Sequence, residues 1–474
     1  MKKRFFKFSI LISMLLLIAM LFSSCSLLLG ENGLISSGSE EKYITNAYIN
    51  ADGELILCYS NGTRDNVGVV VGEDGEDGKD GENGKDGKDG KDGKDGLNGQ
   101  DGKDGKDGAI ITGGDNNSSS GAASLEYSVA NCLQSSVIIQ CKYKTSLSSV
   151  DYDTQSAGSG VIYSYNKENG DAIIITNYHV VYENKSLTAT GISDDISVYL
   201  YGTLDENKSM KATYIGGSMN YDLAVLKISN SDVIKNHEIS AVRFRNSDEI
   251  HVGEKVFAIG NPRADGFSVT SGIISVDSEN IEISAVDKSG EISMRVLRTD
   301  APVNSGNSGG GLFDASGNLI GIVNAKIIEN GTDNIGYAIP SSTTYAVVEN
   351  IIDNCLGTKY QTLRRPLLGV TVTIANSYTK YNKETGYVDL YESSVVYEVS
   401  PTGIAYNKLF AGDIIKEVSI SGSCEMTVEI TRQYKLLDIL LHARIGDTVY
   451  VTLERNGETE TVEFIITSAC ISNS

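Results

Sequence analysis

Tryptophan is absent from the 474-residue chain, proline occurs only 5 times and histidine 4 times. Basic residues are scarce relative to acidic ones: 40 Lys and Arg stand against 62 Asp and Glu, a formal net charge of −22. So acidic a chain lacks the basic patches that neutralise phosphate, which argues against a general nucleic-acid binder. Long apolar runs are missing everywhere except at the extreme N-terminus, which excludes a polytopic membrane protein. No Cys/His spacing matches a zinc site, and no metal or organic cofactor is implied. What is present suits globular domains. Hydrophobic residues make up 40%, enough for ordinary cores, and the length allows roughly three folded units. Glycine, at 50 residues, is in excess, and the excess is concentrated in one place.

Lys2, Lys3, Arg4 and Lys7 precede an almost wholly apolar stretch from Phe8 to Phe22. A basic start, a short apolar core and the small residues Ser23 and Ser24 describe a secretory signal. Leu21-Phe22-Ser23-Ser24-Cys25 resembles a bacterial lipobox, which implies lipidation of Cys25 after removal of residues 1–24; Phe22 stands where that motif usually has Leu. The alternative is an uncleaved signal anchor. Both place the rest of the chain outside the cytoplasm, attached to a membrane. An exported compartment permits disulfides. Cys132/Cys141 and Cys424/Cys470 are the pairs that fall within one expected domain, and free buried thiols are the other reading.

Residues 25–71 read as a short β-rich segment, with strands at 43–45, 55–60 and 67–71. From Gly72 to Gly108 glycine then recurs at every third position, thirteen times without a miss, mostly as Gly-Lys-Asp. Strict Gly-X-Y periodicity is the signature of a collagen triple helix, because only glycine fits at the crowded axis. The segment resembles the collagen-like regions of some bacterial surface proteins, but it contains no proline to stiffen it. A triple helix of this length would span roughly 115 Å; a flexible coil would hold its ends only ~30–35 Å apart. Both readings make it a spacer. Residues 109–124, rich in Gly, Asn and Ser, read as a flexible joint.

Chemistry concentrates in residues 125–357. Gly158-Ser159-Gly160-Val161-Ile162 is followed by an apolar run and by Asn177-Tyr178-His179-Val180-Val181. Asn220-Tyr221-Asp222-Leu223-Ala224-Val225-Leu226 comes next, then Asn304-Ser305-Gly306-Asn307-Ser308-Gly309-Gly310. A serine hydroxyl attacks a peptide only when an imidazole takes its proton and a carboxylate fixes that imidazole's tautomer. The chain order His, Asp, Ser is the chymotrypsin-like one. Glycines beside Ser308 allow a tight turn whose amides face a developing oxyanion. Short Val/Ile runs at 136–141, 173–176, 196–201, 223–228, 255–259, 269–276 and 319–323 predict paired β-barrels, and 342–355 a closing helix.

These motifs resemble the HtrA/Deg group of chymotrypsin-fold serine proteases. The resemblance implies that His179 is the general base, Asp222 its orienting acid and Ser308 the nucleophile, with Gly306, Asn307 and Ser308 framing the oxyanion hole. The family usually carries proline where this chain has Ser305 and Gly311, a change that loosens the backbone on both sides of Ser308. In such proteases the floor of the primary pocket lies six residues before the nucleophile, here at Pro302. Proline pairs with neither Lys nor Arg. The wall segment around Val323 and Asn324 suits a shallow apolar site, and the resemblance implies cleavage after small aliphatic residues. His237, His251 and His442 lack comparable context and read as surface or structural residues.

Residues 366–470 carry Leu367-Leu368-Gly369-Val370, Ser400-Pro401 and Phe410-Ala411-Gly412-Asp413-Ile414-Ile415, with a helix-like stretch at 434–443. They resemble the PDZ domain of HtrA proteases. The resemblance implies that a peptide adds as a strand beside the loop at Leu367, Leu368, Gly369 and Val370, whose amides hold its carboxylate. A domain that only packs on the protease is the alternative. The expected fold is therefore mainly β: a chymotrypsin-like double β-barrel protease domain followed by one PDZ domain and preceded by a collagen-like stalk. The expected function is a membrane-tethered, extracytoplasmic serine endopeptidase for misfolded or damaged proteins. Its expected partners are unfolded substrates, peptides at the PDZ domain and the membrane lipid, with a homotrimer as the assembly. The competing class is a collagen-like surface scaffold or adhesin, or an inactive peptide-binding protein on a protease fold.

Overall fold

Short apolar runs bounded by glycine and polar residues decide where most strands from residue 125 onward lie. The structure, a computed structural model, describes residues 44–49, 54–59, 64–69, 125–147, 150–203, 208–262, 266–325 and 335–473. The signal segment, Cys25, the Gly-X-Y repeat and residues 109–124 lie outside the described residues. Among the described residues no helix is long and apolar enough to cross a membrane.

The chain divides into two compact units, Met1–Gln100 and Asp101–Ser474. In the first, β1 (Ile44–Ile49), β2 (Glu54–Tyr59) and β3 (Arg64–Val69) form an antiparallel meander in that order.

The second unit begins with α1 (Leu125–Gln134). A closed barrel follows, formed by β4 (Ser136–Leu147), β5 (Val150–Asn166), β6 (Asp171–Thr176), β7 (Asp195–Leu200), β8 (Met210–Ser218) and β9 (Leu223–Ile228), in the order β4-β5-β6-β9-β8-β7. In β4, Val137, Ile139, Cys141 and Tyr143 all enter the barrel core, as a period of two requires. Short helices α2 (Tyr178–Val181) and α3 (Asp232–Asn236) flank this barrel. The second closed barrel runs β10-β11-β12-β15-β14-β13, from β10 (Lys255–Gly260), β11 (Ser268–Ser284), β12 (Glu291–Thr299), β13 (Gly311–Asp314), β14 (Leu319–Val323) and β15 (Gly336–Pro340). Closure removes every edge strand, which no open sheet achieves. The runs at 223–228 and 319–323 are strands with the expected bounds. The one at 269–276 continues to Ser284, because β11 and β12 pair beyond the barrel as a long ribbon through residues of mixed polarity.

Helix α4 (Ser341–Cys355) leaves β15 directly and buries Ala346, Val347, Val348 and Ile351 against both barrels. The same core takes in Leu363 and Leu441, so protease and C-terminal segments share packed side chains. Beyond it, β16 (Arg364–Pro366) pairs with the terminal β23 (Ile471–Asn473). The main C-terminal sheet is β17 (Val370–Tyr381), β18 (Val388–Val399), β19 (Ile414–Ser421), β21 (Thr448–Arg455) and β22 (Glu458–Ile465), with β20 (Met426–Glu429) on β19. Helix α5 (Gln433–Leu440) lies in the expected helical stretch and sends Leu436, Ile439 and Leu440 into that sheet's core.

The two disulfide pairings are not formed. Cys132, Cys141, Cys355, Cys424 and Cys470 are all free. Cys132 Sγ donates to the Gly317 carbonyl 185 residues away, at 3.4 Å, whereas Cys141 faces the interior of the first barrel. The two thiols point into different cores. Burial pushes both up to about 12, so they remain protonated packing groups.

A buried ionic cluster joins the second barrel to the C-terminal domain. Arg295 of β12 donates to Asp248 at 2.7 Å and to Asp438 of α5 at 2.5 Å, and its guanidinium lies 3.4 Å from the Tyr434 ring centroid. Thr343 donates to the same Asp438 oxygen at 3.0 Å. His251, read as a surface or structural residue, lies in the turn before β10 and stacks on Tyr387 at 3.7 Å. Burial pushes the Asp438 carboxyl up to about 6, with Arg295 pulling the other way. Between its ordinary value and 6, the folded chain holds a proton there that the unfolded chain has lost. This group's contribution to stability therefore falls as pH rises through about 4 to 6. Asp438→Asn should abolish that contribution. Thermal melts across pH 4–7 should show the variant gaining on the wild type as pH rises through this window.

Candidate active site

Asp222 sits at the entry to β9 in the left-handed region, with φ of 49°, and is only 1% exposed. Its backbone is held there by partners. The Asp222 carbonyl accepts from Asn177 Nδ2 at 2.9 Å and from the Tyr178 amide at 3.1 Å. Its carboxylate receives three more donors: the His179 amide at 2.9 Å on Oδ1, and His179 Nδ1 at 2.6 Å and Asn324 Nδ2 at 2.8 Å on Oδ2. A carboxylate on Nδ1 places the proton there and leaves Nε2 as the acceptor. His179 is half-buried on α2, which follows β6 directly.

Ser308 lies on a turn between Gly306, φ 97°, and Gly309, φ 84°. A Cβ on Gly309 would come within 2.1 Å of the Ser159 carbonyl, so the turn admits no side chain there. The amides of Gly306 and Ser308 donate to no protein acceptor among the described residues, whereas Asn307 N donates to Asn304 O at 3.0 Å. The three residues expected to frame an oxyanion hole thus divide: two amides are open and the middle one closes the turn. Ser308 Oγ accepts from the Ala325 amide at 3.2 Å and, among the described residues, makes no hydrogen bond to His179. At Gly311 the ring of Phe313 fills the space a side chain would need, 2.4 Å from the position of a Cβ.

Ser159 fixes this turn from the first barrel. Its amide donates to the Ser308 carbonyl at 2.8 Å and its Oγ to the Gly306 carbonyl at 2.8 Å. The same Oγ accepts from the Asn261 amide at 2.9 Å, and the Ser159 carbonyl accepts from Thr176 Oγ1 at 2.7 Å. The flanking glycines give it room: a Cβ on Gly158 would meet Val180 at 2.7 Å, and one on Gly160 the Ile175 carbonyl at 2.9 Å. The Gly-Ser-Gly run signals a crowded place in the sequence; a contact 147 residues away leaves no local trace.

Residues 158–322 match the family model for a trypsin-like peptidase domain. The chain is 34% identical over 316 residues to "Serine protease Do-like HtrA" of Lactococcus lactis subsp. cremoris, covering 65% of this chain and 69% of that relative. It belongs to the Do-like HtrA serine proteases. Two Bacillus subtilis members, HtrB and HtrA, are 31% and 33% identical over 67% of this chain, and the alignments span 63% and 65% of their lengths. A solved structure of the HtrA-type protease AlgW with tripeptide is 28% identical, with a TM-score of 0.48, over 73% of this chain and 97% of that one.

Within this HtrA-family framework the expected pocket residues separate. Pro302 is exposed, and its carbonyl accepts from Thr270 Oγ1 at 2.9 Å. Val323 is buried, paired through its backbone with Gly309 and Gly310. Asn324 turns its amide to Asp222 instead of lining a pocket wall.

At the C-terminal domain, Leu367, Leu368, Gly369 and Val370 line one cavity of about 390 Å³ with Leu436, Leu437 and Leu440 of α5. The carbonyls of Leu368 and Gly369 are taken by Ala405 and Ser400 amides, while their own amides have no protein acceptor among the described residues. Gly369, φ 81°, admits no side chain, because a Cβ would lie 2.5 Å from Gly403 Cα.

Ser159→Ala should strand the Gly306 carbonyl and the Asn261 amide. A stability loss of about 2 kcal/mol is expected in denaturant titration, with kcat for a peptide substrate falling more than KM changes. Asn324→Ala should lower kcat about tenfold or more at nearly constant KM, since it removes a hydrogen bond to a charged group. Steady-state kinetics check both.

Proposed function

We propose that this HtrA-family chain is a membrane-tethered, extracytoplasmic serine endopeptidase acting on misfolded or damaged proteins. The observation that carries this is the His179 Nδ1–Asp222 Oδ2 contact of 2.6 Å, set beside a glycine turn with two open amides at Gly306 and Ser308. In the proposed reaction, Ser308 Oγ attacks the scissile carbonyl and passes its proton to His179 Nε2. The carbonyl oxygen becomes an oxyanion facing the Gly306 and Ser308 amides. His179 then protonates the leaving amine, and water repeats the sequence on the acyl-enzyme. Asp222 stays ionised throughout and stabilises the imidazolium.

The loop at Leu367 to Val370 is proposed to receive peptides by strand addition, as in a PDZ domain. Its open amides and the leucine-lined cavity support that reading. Lipidation at Cys25 would supply the tether, and the Gly-X-Y repeat would set the distance from the membrane. A homotrimer would let a triple-helical stalk and the protease share one threefold axis.

A second reading, an inactive or resting peptide-binding protein, is favoured by one contact: Ser308 Oγ is held by Ala325 rather than by His179. Digestion of casein by the wild type and by Ser308→Ala separates the two. Cleavage that disappears in the variant is expected. Equal background in both, with C-terminal peptides present or absent, would sink the protease reading.

A further inference from the structure

Helix α2, which carries His179, is a single turn of four residues, and its N-cap Asn177 gives it no side-chain hydrogen bond. One turn cannot hold its own orientation, because its end amides and carbonyls find no partners inside so short a helix. Packing has to do so. Val180 and Val181 enter the core of the first barrel. Tyr178, the neighbour of His179, packs against the same core and is held by two further rings. It stacks on Tyr182 with 5.4 Å between centroids, and it meets Tyr214 of β8 edge-on at 6.4 Å and 78°.

Both outer rings are fixed by backbone. Tyr214 Oη donates to the Gln361 carbonyl at 3.1 Å. Gln361 belongs to the segment between α4 and β16, and that segment is stitched to β8. The Gly217 amide donates to the same carbonyl at 3.1 Å, and the Leu363 amide to the Gly217 carbonyl at 3.0 Å. Gly217 leaves room for the rings: a Cβ there would lie 2.8 Å from Tyr214 Oη, 2.9 Å from Tyr178 Cδ2 and 2.7 Å from the Leu223 carbonyl. At the other end Tyr182 lies against Gly191, where a Cβ would come within 2.3 Å of its ring. The Glu183 amide, donating to the Gly191 carbonyl at 2.9 Å, closes that side. The stack thus runs from Gly191 to Gly217 with Tyr178 in the middle.

Stacked and edge-on rings attract at preferred angles, beyond the area they bury. An anchor with a preferred angle is what a one-turn helix needs. The Tyr178 amide donates to the Asp222 carbonyl at 3.1 Å and the His179 amide to Asp222 Oδ1 at 2.9 Å. A rotation of Tyr178 therefore carries His179 with it and alters the approach of Nδ1 to Asp222 Oδ2. Burial pushes the Tyr178 phenol up to about 12 and raises that of Tyr214 as well, so both rings stay neutral wherever an imidazole titrates.

We propose that Tyr178 and Tyr214 are positioning residues for the general base: the ring stack, tied to the chain at Gln361, sets the orientation of α2 and with it the His179–Asp222 bond. The inference rests on the reading of His179 as the base and adds two residues outside the triad. Neither phenol touches the scissile bond. The effect belongs in kcat rather than in KM, because the imidazole serves proton transfer and not the docking of substrate.

The test uses the full chain and a short chromogenic peptide substrate. Competent sites are counted by titration with a serine-directed phosphonate, so that kcat is expressed per folded active site. Tyr178→Leu is expected to lower kcat about tenfold with KM changed by less than about twofold, and Tyr178→Phe to restore the wild-type value. Tyr214→Leu should lower kcat about fivefold, and Tyr214→Phe, which loses only the tether to Gln361, about twofold. The pH profile of kcat/KM supplies a readout that a loss of stability does not move. A loosened bond to Asp222 stabilises the imidazolium less, so the acid limb should shift to lower pH in both leucine variants and return in Tyr178→Phe. Thermal melts report folding, and if Tyr178→Leu does not fold, Tyr214→Leu decides. An unchanged kcat with an unmoved acid limb in a folded leucine variant would overturn the proposal. Failure of Tyr178→Phe to restore kcat would also overturn it, since the ring contact would then not be the cause. Absence of Ser308-dependent turnover in the wild type would sink the reading of His179 as base and this inference with it.

Discussion

The Ser159 hydroxyl, bonded to the Gly306 carbonyl at 2.8 Å and to the Asn261 amide at 2.9 Å, ties together segments that belong to different barrels. Ser159 is on β5 of the first barrel, Asn261 follows β10 of the second, and Gly306 leads into the turn that carries Ser308. A catalytic geometry assembled from two barrels is only as well defined as their seam. Here the seam is made of short, buried hydrogen bonds to backbone groups. Backbone carbonyls have no rotamers, so a bond to them fixes position more tightly than a bond between two side chains. Gly309 serves this constraint, since a Cβ there would lie 2.1 Å from the Ser159 carbonyl of the first barrel.

The C-terminal domain is joined on different terms. Arg295, between Asp248 and Asp438 and under Tyr434, is a charged group with almost no contact with water. Such a cluster contributes little net stability, because desolvating three charges offsets most of their attraction. It does define one arrangement, since a small displacement leaves charges buried and unpaired. Apolar packing of Leu441 against α4 adds the non-directional part of the same joint.

Much of the protease fold was legible because its strands are short Val/Ile-rich runs and because glycine and polar residues punctuate them. The bounds of β9 and β14 follow from such apolar runs, and the expected closing helix at 342–355 is α4, one residue longer. His179 and Asp222 were legible as a pair because each lies in an extended motif, and they meet. The roles of Ser159 and Asn324 were not, for a physical reason. Each acts through one hydrogen bond to a residue more than a hundred positions away, and such contacts impose no local periodicity. Asn324, read as a pocket wall from its apolar neighbours, turns inward because the buried Asp222 carboxylate needs another donor. Of the two readings of Cys132 and Cys141, the structure has the free buried thiols: nearness in sequence says nothing of which core a side chain enters. In β4, Cys141 alternates with Gln140 and Lys142 and so must face the first barrel.

The order of the motifs has a consequence for how such a protein is made. His179 and Asp222 belong to the first barrel, while Ser308 and the turn behind it come from the second. If the chain is exported N-terminus first, as the proposed function requires, the proposed base and its acid would be delivered well before the proposed nucleophile. The proposed triad is therefore incomplete for much of the passage. On that proposal the emerging polypeptide would carry no assembled hydrolytic centre until most of the protease had crossed. Activity would then be a property of finished molecules.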